Sequence, residues 1–206
     1  MALYLLPKQK MRVQFSLPAH NMKIKPYSDN IIFYDSEFSS LDPYKGEILS
    51  IGLVKLDGDE LYLEIEHDGE MSDFVKDNVL PYLKDIKVSR EEARKKIREF
   101  IGGKESYLIA YVDSYDSIYW NKLFEIRDDT KDDKNPAFWM TIDFASILFG
   151  LGINPEAYNY KDKENFYKKI GIDVSRYKEH HALDDAKLLR EVYLKFYQSI
   201  DKLIKQ

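Results

Sequence analysis

The stretch Ile31-Ile32-Phe33-Tyr34-Asp35-Ser36-Glu37-Phe38 decides the fold, because an apolar run rich in β-forming residues leads directly into two acids. Such a run is typical of a buried strand. Side chains alternate between the two faces of a strand, so Asp35 and Glu37 share one side. The sequence therefore predicts a central strand that carries two carboxylates on one face near its end.

Two further strands are predicted directly after this one. Ser39–Gly46 contains Asp-Pro and a glycine and reads as a loop, and the segments Glu47–Leu56 and Glu60–His67 follow it. Asp57-Gly58-Asp59 separates these segments, and Asp-Gly between alternating apolar runs strongly favours a hairpin. The first three strands are therefore expected to form an antiparallel meander.

The remaining chain alternates helix and strand patterns. Ser72 and Ser89 have the character of helix N-caps, Pro81 is expected to end or kink the first helix, and Gly102 to end the second. The predicted elements are helices at Ser72–Leu83, Ser89–Phe100, Ser114–Phe124, Glu164–Ile170 and from near His180, and strands at Tyr107–Val112 and Phe138–Phe144. We therefore predict an α/β fold with a five-stranded mixed sheet, antiparallel first and then parallel, flanked by helices.

The final helix begins at His180-His181-Ala182-Leu183-Asp184-Asp185-Ala186. Its apolar stripe consists of Ala182, Ala186, Leu189, Val192, Tyr193 and Phe196, which recur at spacings of three and four. Asp185 lies on or beside this stripe, whereas Asp184 faces solvent. An acid on the buried side of a helix is costly unless it is paired or binds a metal. Taken alone, the stretch fits a purely structural role, as a helix cap or a solvated surface, as well as it fits a functional one.

Other acids also lie where predicted elements begin or end. Asp113 or Asp116 falls at a strand-to-helix turn, beyond the carboxyl end of a strand, where open α/β sheets commonly bind ligands. Carboxylates brought together there repel one another, and such a cluster persists only by protonation or by binding cations. Oxygen ligands without cysteine select Mg²⁺ or Mn²⁺. Two such ions about 4 Å apart can stabilise the attacking and leaving oxygens of a phosphodiester. A neighbouring histidine can accept a proton near neutral pH.

Composition limits the classes of function. The chain has 206 residues, 44% of them hydrophobic and 33% charged, with a net charge of −5 and no cysteine. These values exclude a disulfide scaffold, a cysteine nucleophile and a broadly basic nucleic-acid coat. With no apolar run of about 20 residues, we expect no membrane partner and a cytoplasmic protein. Residues 1–29 are expected to form a peripheral segment and 30–206 one domain; a mobile tail, a translated leader or an added strand are all open for 1–29.

The ordered motifs resemble a known family. Asp35-x-Glu37, Tyr115-Asp116 and His180-x-Ala182-Leu183-x-Asp185-Ala186 match, in order, the three motifs of DEDDh-type 3′-5′ exonucleases of the ribonuclease-H-like superfamily. Within that family the chain is most similar to the small mycobacterial-type exoribonucleases. Further matching segments are Tyr34–Phe38, Leu49–Leu53, Phe74–Leu80 and Ala110–Asp116.

The resemblance implies a ribonuclease-H-like fold and a role for each motif residue. Asp35, Glu37, Asp116 and Asp185 would be ligands of two Mg²⁺ or Mn²⁺ ions, His180 the general base, and Phe38 and Ser39 contacts to the terminal nucleotide. The motif spacing selects His180 over His181 as the base. Phe38 is equally suited to a core position, and Asp143 matches a position that supports the fold.

One departure from the family concerns the second motif. Many relatives have His-Asn before this motif, where the chain has Tyr111-Val112, followed by Asp113. The departure leaves Asp113 as a lesser candidate ligand.

The implied activity is a two-metal-dependent 3′-5′ exoribonuclease. It would hydrolyse single-stranded RNA or short oligoribonucleotides to nucleoside 5′-monophosphates, and a homodimer is compatible with the family. The acidic composition favours a short or single-stranded substrate, since a long duplex needs a basic stripe. A proofreading-type DNA exonuclease and an inactive nucleic-acid-binding module are the alternatives.

Overall fold

The computed structural model describes residues 26–103, 105–126, 135–158, 167–168 and 170–203. Its sheet consists of β1 (Ile31–Phe38), β2 (Ile48–Lys55), β3 (Glu60–Glu64), β4 (Tyr107–Ala110) and β5 (Ile142–Asp143). The spatial order is β3-β2-β1-β4-β5. The pairs β1–β2 and β2–β3 are antiparallel, and β1–β4 and β4–β5 are parallel. The predicted five-stranded mixed α/β sheet is confirmed.

Helices flank the sheet on both faces. They are α1 (Asp73–Asn78), α2 (Arg90–Ile101), α3 (Ser114–Phe124), α4 (Phe144–Gly150) and α5 (Ala182–Leu203). Short 3₁₀ turns lie at Leu80–Tyr82, Pro155–Tyr158 and Val174–Arg176. In the part of the chain that the structure describes, no helix combines the length and apolar character that crossing a membrane requires.

The alternation of β1 sorts its side chains between two cores. Ile32 and Tyr34 lie in a core with residues of α2 and α3, while Ile31 and Phe33 lie in a core with residues of α4 and α5. By the same alternation, Asp35 and Glu37 follow on the α5 face and Ser36 and Phe38 on the α3 face. The acids of the central strand therefore face α5, and the side chains that alternate with them face α3.

Several local predictions are confirmed. Gly58, with φ 107°, forms the predicted β2–β3 hairpin, where its N–H donates to the Lys55 carbonyl at 3.0 Å. Ser72 and Ser89 cap α1 and α2 by accepting hydrogen bonds from the N–H groups of Val75 and Glu92. Helix α3 has the predicted bounds, and the whole predicted apolar stripe of α5 is buried.

Three strand predictions were too long. The third strand is Glu60–Glu64 rather than Glu60–His67. The fourth strand ends at Ala110 instead of Val112, because Val112 adopts a left-handed conformation with φ 55°. The fifth strand is Ile142–Asp143 rather than Phe138–Phe144. Asp143 caps α4 by accepting hydrogen bonds from the N–H groups of Ala145 and Ser146, so the apolar stretch after it is helical. Asp143 therefore supports the fold, as expected.

The first helix is shorter than predicted. It ends at Asn78, and the chain continues as a 3₁₀ turn that contains Pro81, because proline cannot continue the backbone hydrogen bonds. Leu80, which begins this turn, is 38% exposed.

Some predictions fall outside the described residues. This group includes residues 1–25 and most of the predicted Glu164–Ile170 helix. The charge-rich sequence of Arg127–Asn135 predicts a solvated loop, and 127–134 of it also lie outside the described residues. The division into a 1–29 segment and a 30–206 domain stays a prediction.

Gly52 brings α5 directly against the sheet. A Cβ atom at Gly52 would lie 2.4 Å from the Cα and N atoms of Leu183 and 2.5 Å from the carbonyl carbon of Ala182. These are backbone atoms, which cannot move aside as a flexible side chain can. Gly52 is also the Cα partner of Asp35 on β1. The absence of a side chain at Gly52 therefore lets the first turn of α5 approach Asp35.

The close contact gives a stability prediction. Gly52→Ala should lower the free energy of unfolding by roughly 2–3 kcal/mol, because the added methyl group forces α5 away from β2. Gly150→Ala is the matched control, since a Cβ there has no neighbour within 4 Å and alanine favours the helix by about 0.5 kcal/mol. Urea unfolding of both variants checks the prediction, and equal stability of the two would contradict it.

Candidate active site

Three of the four predicted ligands meet at the end of β1. Asp35, Glu37 and Asp185 each offer a carboxylate oxygen, and these oxygens lie within 4.8 Å of one another. Asp35 and Glu37 share the α5 face of β1, and Asp185 comes from the first turn of α5. Oxygens of this kind at this spacing are a donor set that suits Mg²⁺ or Mn²⁺.

Asp116 approaches the same place from the other face of the sheet. Its Oδ1 accepts hydrogen bonds from the Ser36 N–H at 2.8 Å and the Ser36 hydroxyl at 2.6 Å. Strand β4 pairs only with residues 31–33 of β1, which leaves room beside Ser36 for the start of α3. Among the described residues, Asp116 is not a member of the three-carboxylate group. The structure therefore places it directly behind that group.

Burial and mutual repulsion dominate the electrostatics of these acids. Burial raises the pKa of Asp35 well above its usual range, and the charges of Asp116, Asp185 and Glu37 raise it further. Burial followed by the charges of Asp185 and Asp116 raises the pKa of Glu37 to about 8. The cluster therefore binds protons tightly at neutral pH when no cation balances its charge.

At Asp116 and Asp185, hydrogen bonds offset part of the rise in pKa that burial and repulsion cause. Burial raises the pKa of Asp116 to about 7, although the hydrogen bonds from Ser36 lower it. Burial and then the charge of Glu179 raise the pKa of Asp185 to about 7, against the lowering effect of the His180 and His181 N–H groups. Asp184 accepts a hydrogen bond from the Lys178 N–H at 3.1 Å and lies apart from the cluster, with 19% of its side chain exposed.

The two histidines have different surroundings. His180, with φ 61°, lines the same cleft as the acids and contacts the Phe74 ring edge-on at a centroid distance of 5.3 Å. His181 stacks on Tyr62 at 4.7 Å, and its Nδ1 is buried without a hydrogen-bond partner. Of the two histidines, His180 is therefore the one that lines the cleft.

The cleft has a volume of about 800 Å³. Its acidic end consists of Asp35, Glu37, Asp116, Asp185 and Glu179, and its apolar walls include Phe38, Phe74, Val112, Tyr115 and Tyr177. Phe38 stacks on Tyr119 with a centroid distance of 4.4 Å and an interplanar angle of 9°. One face of Phe38 thus packs on α3 while the side chain also lines the cleft, and its contact with a terminal nucleotide stays a prediction.

Two of the site residues considered in the sequence analysis form hydrogen bonds that support the fold. Ser39 is fully buried, and its hydroxyl accepts a hydrogen bond from the Glu47 N–H at 3.0 Å, so its side chain supports the loop and does not line the cleft. Asp113, the lesser candidate ligand, accepts hydrogen bonds from the Tyr34 hydroxyl at 2.5 Å and from the Thr141 hydroxyl. These bonds give Asp113 a structural role, and among the described residues it is not part of the three-carboxylate group.

The sequence interpretation missed Ser36 and Glu179. Strand alternation directs Ser36 away from the acids, and only the early end of β4 makes its contact with Asp116 possible. Glu179 precedes His180 in an irregular segment, where no periodicity indicates which way a side chain points.

Comparison with known proteins yields matches in structure alone. No protein-family model matches the chain, and no curated protein matches it in sequence. The zinc-ion-bound form of E. coli exonuclease I with single-stranded DNA aligns with 85% of the chain at a TM-score of 0.59 and 12% identity. A second exonuclease I structure gives the same values, and E. coli exonuclease I with a dT13 oligonucleotide aligns with 84% of the chain at a TM-score of 0.57 and 13% identity.

These likenesses define the class of fold. The chain is an α/β domain with the ribonuclease-H-like fold, and its structural neighbours are exonucleases. It spans 42% of the length of each of these exonuclease I chains.

The raised pKa values predict how stability depends on pH. An acid whose pKa is higher in the folded than in the unfolded protein destabilises the fold as pH rises between the two values. With chelator present, the free energy of unfolding should therefore fall from about pH 4 to pH 8, the range set by Glu37 at about 8 and Asp185 at about 7. Added Mg²⁺ or Mn²⁺ should reduce this fall.

Two substitutions in α5 distinguish the effect of a carboxylate in the cluster from the effect of a neighbouring carboxylate outside it. Asp185→Asn removes one repelling charge and should raise the free energy of unfolding at pH 7.5 by roughly 2 kcal/mol. Asp184→Asn, outside the cluster, should change the pH profile much less, because the charge of Asp184 is only a minor cause of the raised pKa of Asp185. Denaturant unfolding at several pH values measures both, and a flat wild-type profile would contradict the electrostatic account.

Proposed function

We propose that this chain is a divalent-metal-dependent 3′-5′ exonuclease of the DEDDh type. Its substrate would be single-stranded RNA or short oligoribonucleotides, and its products nucleoside 5′-monophosphates. The observation that carries the proposal is the meeting of Asp35, Glu37 and Asp185 within 4.8 Å in a cleft that His180 also lines. The order of the motifs and the exonuclease neighbours support it. The mycobacterial-type exoribonuclease group is the proposed relationship within the family.

Each site residue has a proposed task. Asp35, Glu37 and Asp185, with Asp116 behind them, would hold two Mg²⁺ or Mn²⁺ ions. Bound ions would supply positive charge that activates water and stabilises the oxygens of the scissile phosphate. His180 would accept the proton of the attacking water. Phe38 would stack on the terminal base through the face that does not pack on Tyr119.

The choice of RNA is based on the resemblance, and the choice of a short substrate on charge. A chain with a net charge of −5 lacks the basic stripe that holds a long duplex, so it favours a short strand engaged at its end. A DNA exonuclease is the second candidate, because structural neighbours include complexes with single-stranded DNA and dT13. The predicted homodimer stays a proposal.

The activity test uses 5′-labelled single-stranded oligomers of matched RNA and DNA sequence. With Mg²⁺ or Mn²⁺ we expect a ladder that shortens from the 3′ end of RNA and disappears with chelator. Asp185→Ala should abolish the ladder because it removes a proposed metal ligand, and Asp184→Ala should retain it. Faster shortening of DNA would establish the second candidate. Binding of either polymer without shortening would leave an inactive binding module.

The proposed base has its own test. His180→Ala should lower kcat by about 10²- to 10⁴-fold, because the water would lose its proton acceptor. His181→Ala should keep kcat within a few-fold of wild type, since that ring packs on Tyr62 outside the cleft lining. Single-turnover rates across a pH series measure both variants. Equal losses in the two variants would contradict the assignment of His180.

A further inference from the structure

Ser50 is a buried serine that lies across the sheet from Glu37. The two residues are Cα partners on β2 and β1, so their side chains share the face on which α5 packs. Gly52 stands opposite Asp35 in the same register. The two positions of β2 that face the acids of β1 are therefore a glycine, which lets α5 approach, and a serine, which carries a hydroxyl.

The Ser50 hydroxyl has no regular hydrogen bond. The residue is fully buried, and its oxygen has no hydrogen-bond partner among the described residues. Burial raises the pKa of Tyr62, and the nearby Ser50 hydroxyl offsets part of this rise, although the two hydroxyls do not have the geometry of a regular hydrogen bond. Buried polar groups without a partner are rare in proteins because each one costs free energy, so this hydroxyl requires an explanation.

Glu64 does not provide that explanation. It is the Cα partner of Ser50 on β3 and is 2% exposed. Its Oε1 accepts hydrogen bonds from the N–H groups of Lys84 at 2.7 Å and Asp85 at 3.0 Å, and from the Tyr62 hydroxyl at 3.2 Å. Its Oε2 has no hydrogen-bond partner in the described part of the chain. The serine therefore lies between two acids in the row across the sheet, and its hydroxyl is bonded to neither.

The acids of the site differ in the hydrogen bonds that they accept. Asp116 accepts two from Ser36, and Asp185 accepts them from N–H groups just before α5. The Glu37 carboxylate accepts none from the described residues. A carboxylate that binds a metal is commonly oriented by an outer hydrogen bond. Ser50 offers a fully buried, unpartnered donor directly opposite Glu37.

We infer that Ser50 is a positioning residue, whose hydroxyl donates to the Glu37 carboxylate when this carboxylate binds a cation. Cβ atoms directly opposite each other in an antiparallel pair lie about 4.5–5.5 Å apart, and rotation about χ1 moves the serine oxygen among its staggered positions. The carboxylate is therefore within reach of the hydroxyl. This inference rests on the proposed function and adds to its metal site a residue outside the cleft lining.

The hydrogen bond predicts opposite effects on metal binding and on stability. Ser50→Ala and Ser50→Cys should each weaken Mn²⁺ binding about tenfold, because the Glu37 carboxylate loses its donor. The thiol fills the space but is only a weak donor, so a loss in both variants is not due to a cavity. In chelator, Ser50→Ala should unfold at or above the wild-type Tm, since it removes a buried hydroxyl that has no partner among the described residues. A serine with only a structural role would give a lower Tm and an unchanged Mn²⁺ affinity.

Ser106→Ala provides the matched control. Ser106 is also a buried serine, with an exposed fraction of 1%, and it lies immediately before β4. Tyr107 of β4 pairs with Ile31 at the opposite end of β1 from Glu37, roughly 20 Å away along the strand. This variant should therefore leave the Mn²⁺ affinity unchanged.

The experiment measures the Kd of Mn²⁺ from the electron paramagnetic resonance signal of the free ion, together with Tm in chelator and cleavage of 5′-labelled oligonucleotides. In an enzyme that binds Mn²⁺ and cleaves, an unchanged Kd in both Ser50 variants would overturn the inference alone. If the wild type binds Mn²⁺ but does not cleave, the proposed function fails, and an about tenfold weaker Kd in the variants would still support the inference. A wild type that does not bind Mn²⁺ would overturn both.

Discussion

The repulsion among Asp35, Glu37 and Asp185 is the constraint on which the rest of the structure depends. Three carboxylate oxygens within 4.8 Å raise one another's pKa values, so the bare cluster opposes folding near neutral pH. The rest of the structure must hold these carboxylates in place against their electrostatic repulsion. It does so with regular elements, because β1 carries two of the acids and the first turn of α5 carries the third.

The close approach of α5 to the sheet at Gly52 makes this arrangement possible. Any larger residue there would meet the backbone of Leu183. On the opposite face, the early end of β4 lets Asp116 reach Ser36. Two local features, a missing side chain and a short strand, thus bring acids from three separate parts of the chain to the end of one strand.

Elements with strong local signals could be predicted from the sequence. The hairpin at Gly58, the capped helix α2 and the stripe of α5 each follow from short-range periodicity and turn chemistry. Features set by tertiary contacts could not be predicted. The ends of β4 and β5 depend on hydrogen bonds to Asp143, and the structural role of Asp113 depends on Tyr34, which lies 79 residues away in the chain. The three-carboxylate group was predictable because its members lie on elements whose periodicity fixes their direction.

The placement of acids on β1, α3 and α5 has an evolutionary consequence. The cleft walls come mainly from other parts, such as Phe74 on the short helix α1 and Val112 in the turn after β4. Substitutions in these walls can accumulate without disturbing the helix–sheet contact that positions the acids. If the proposed function holds, such substitutions would change which substrate the cleft accepts and would leave the acids of the site in place.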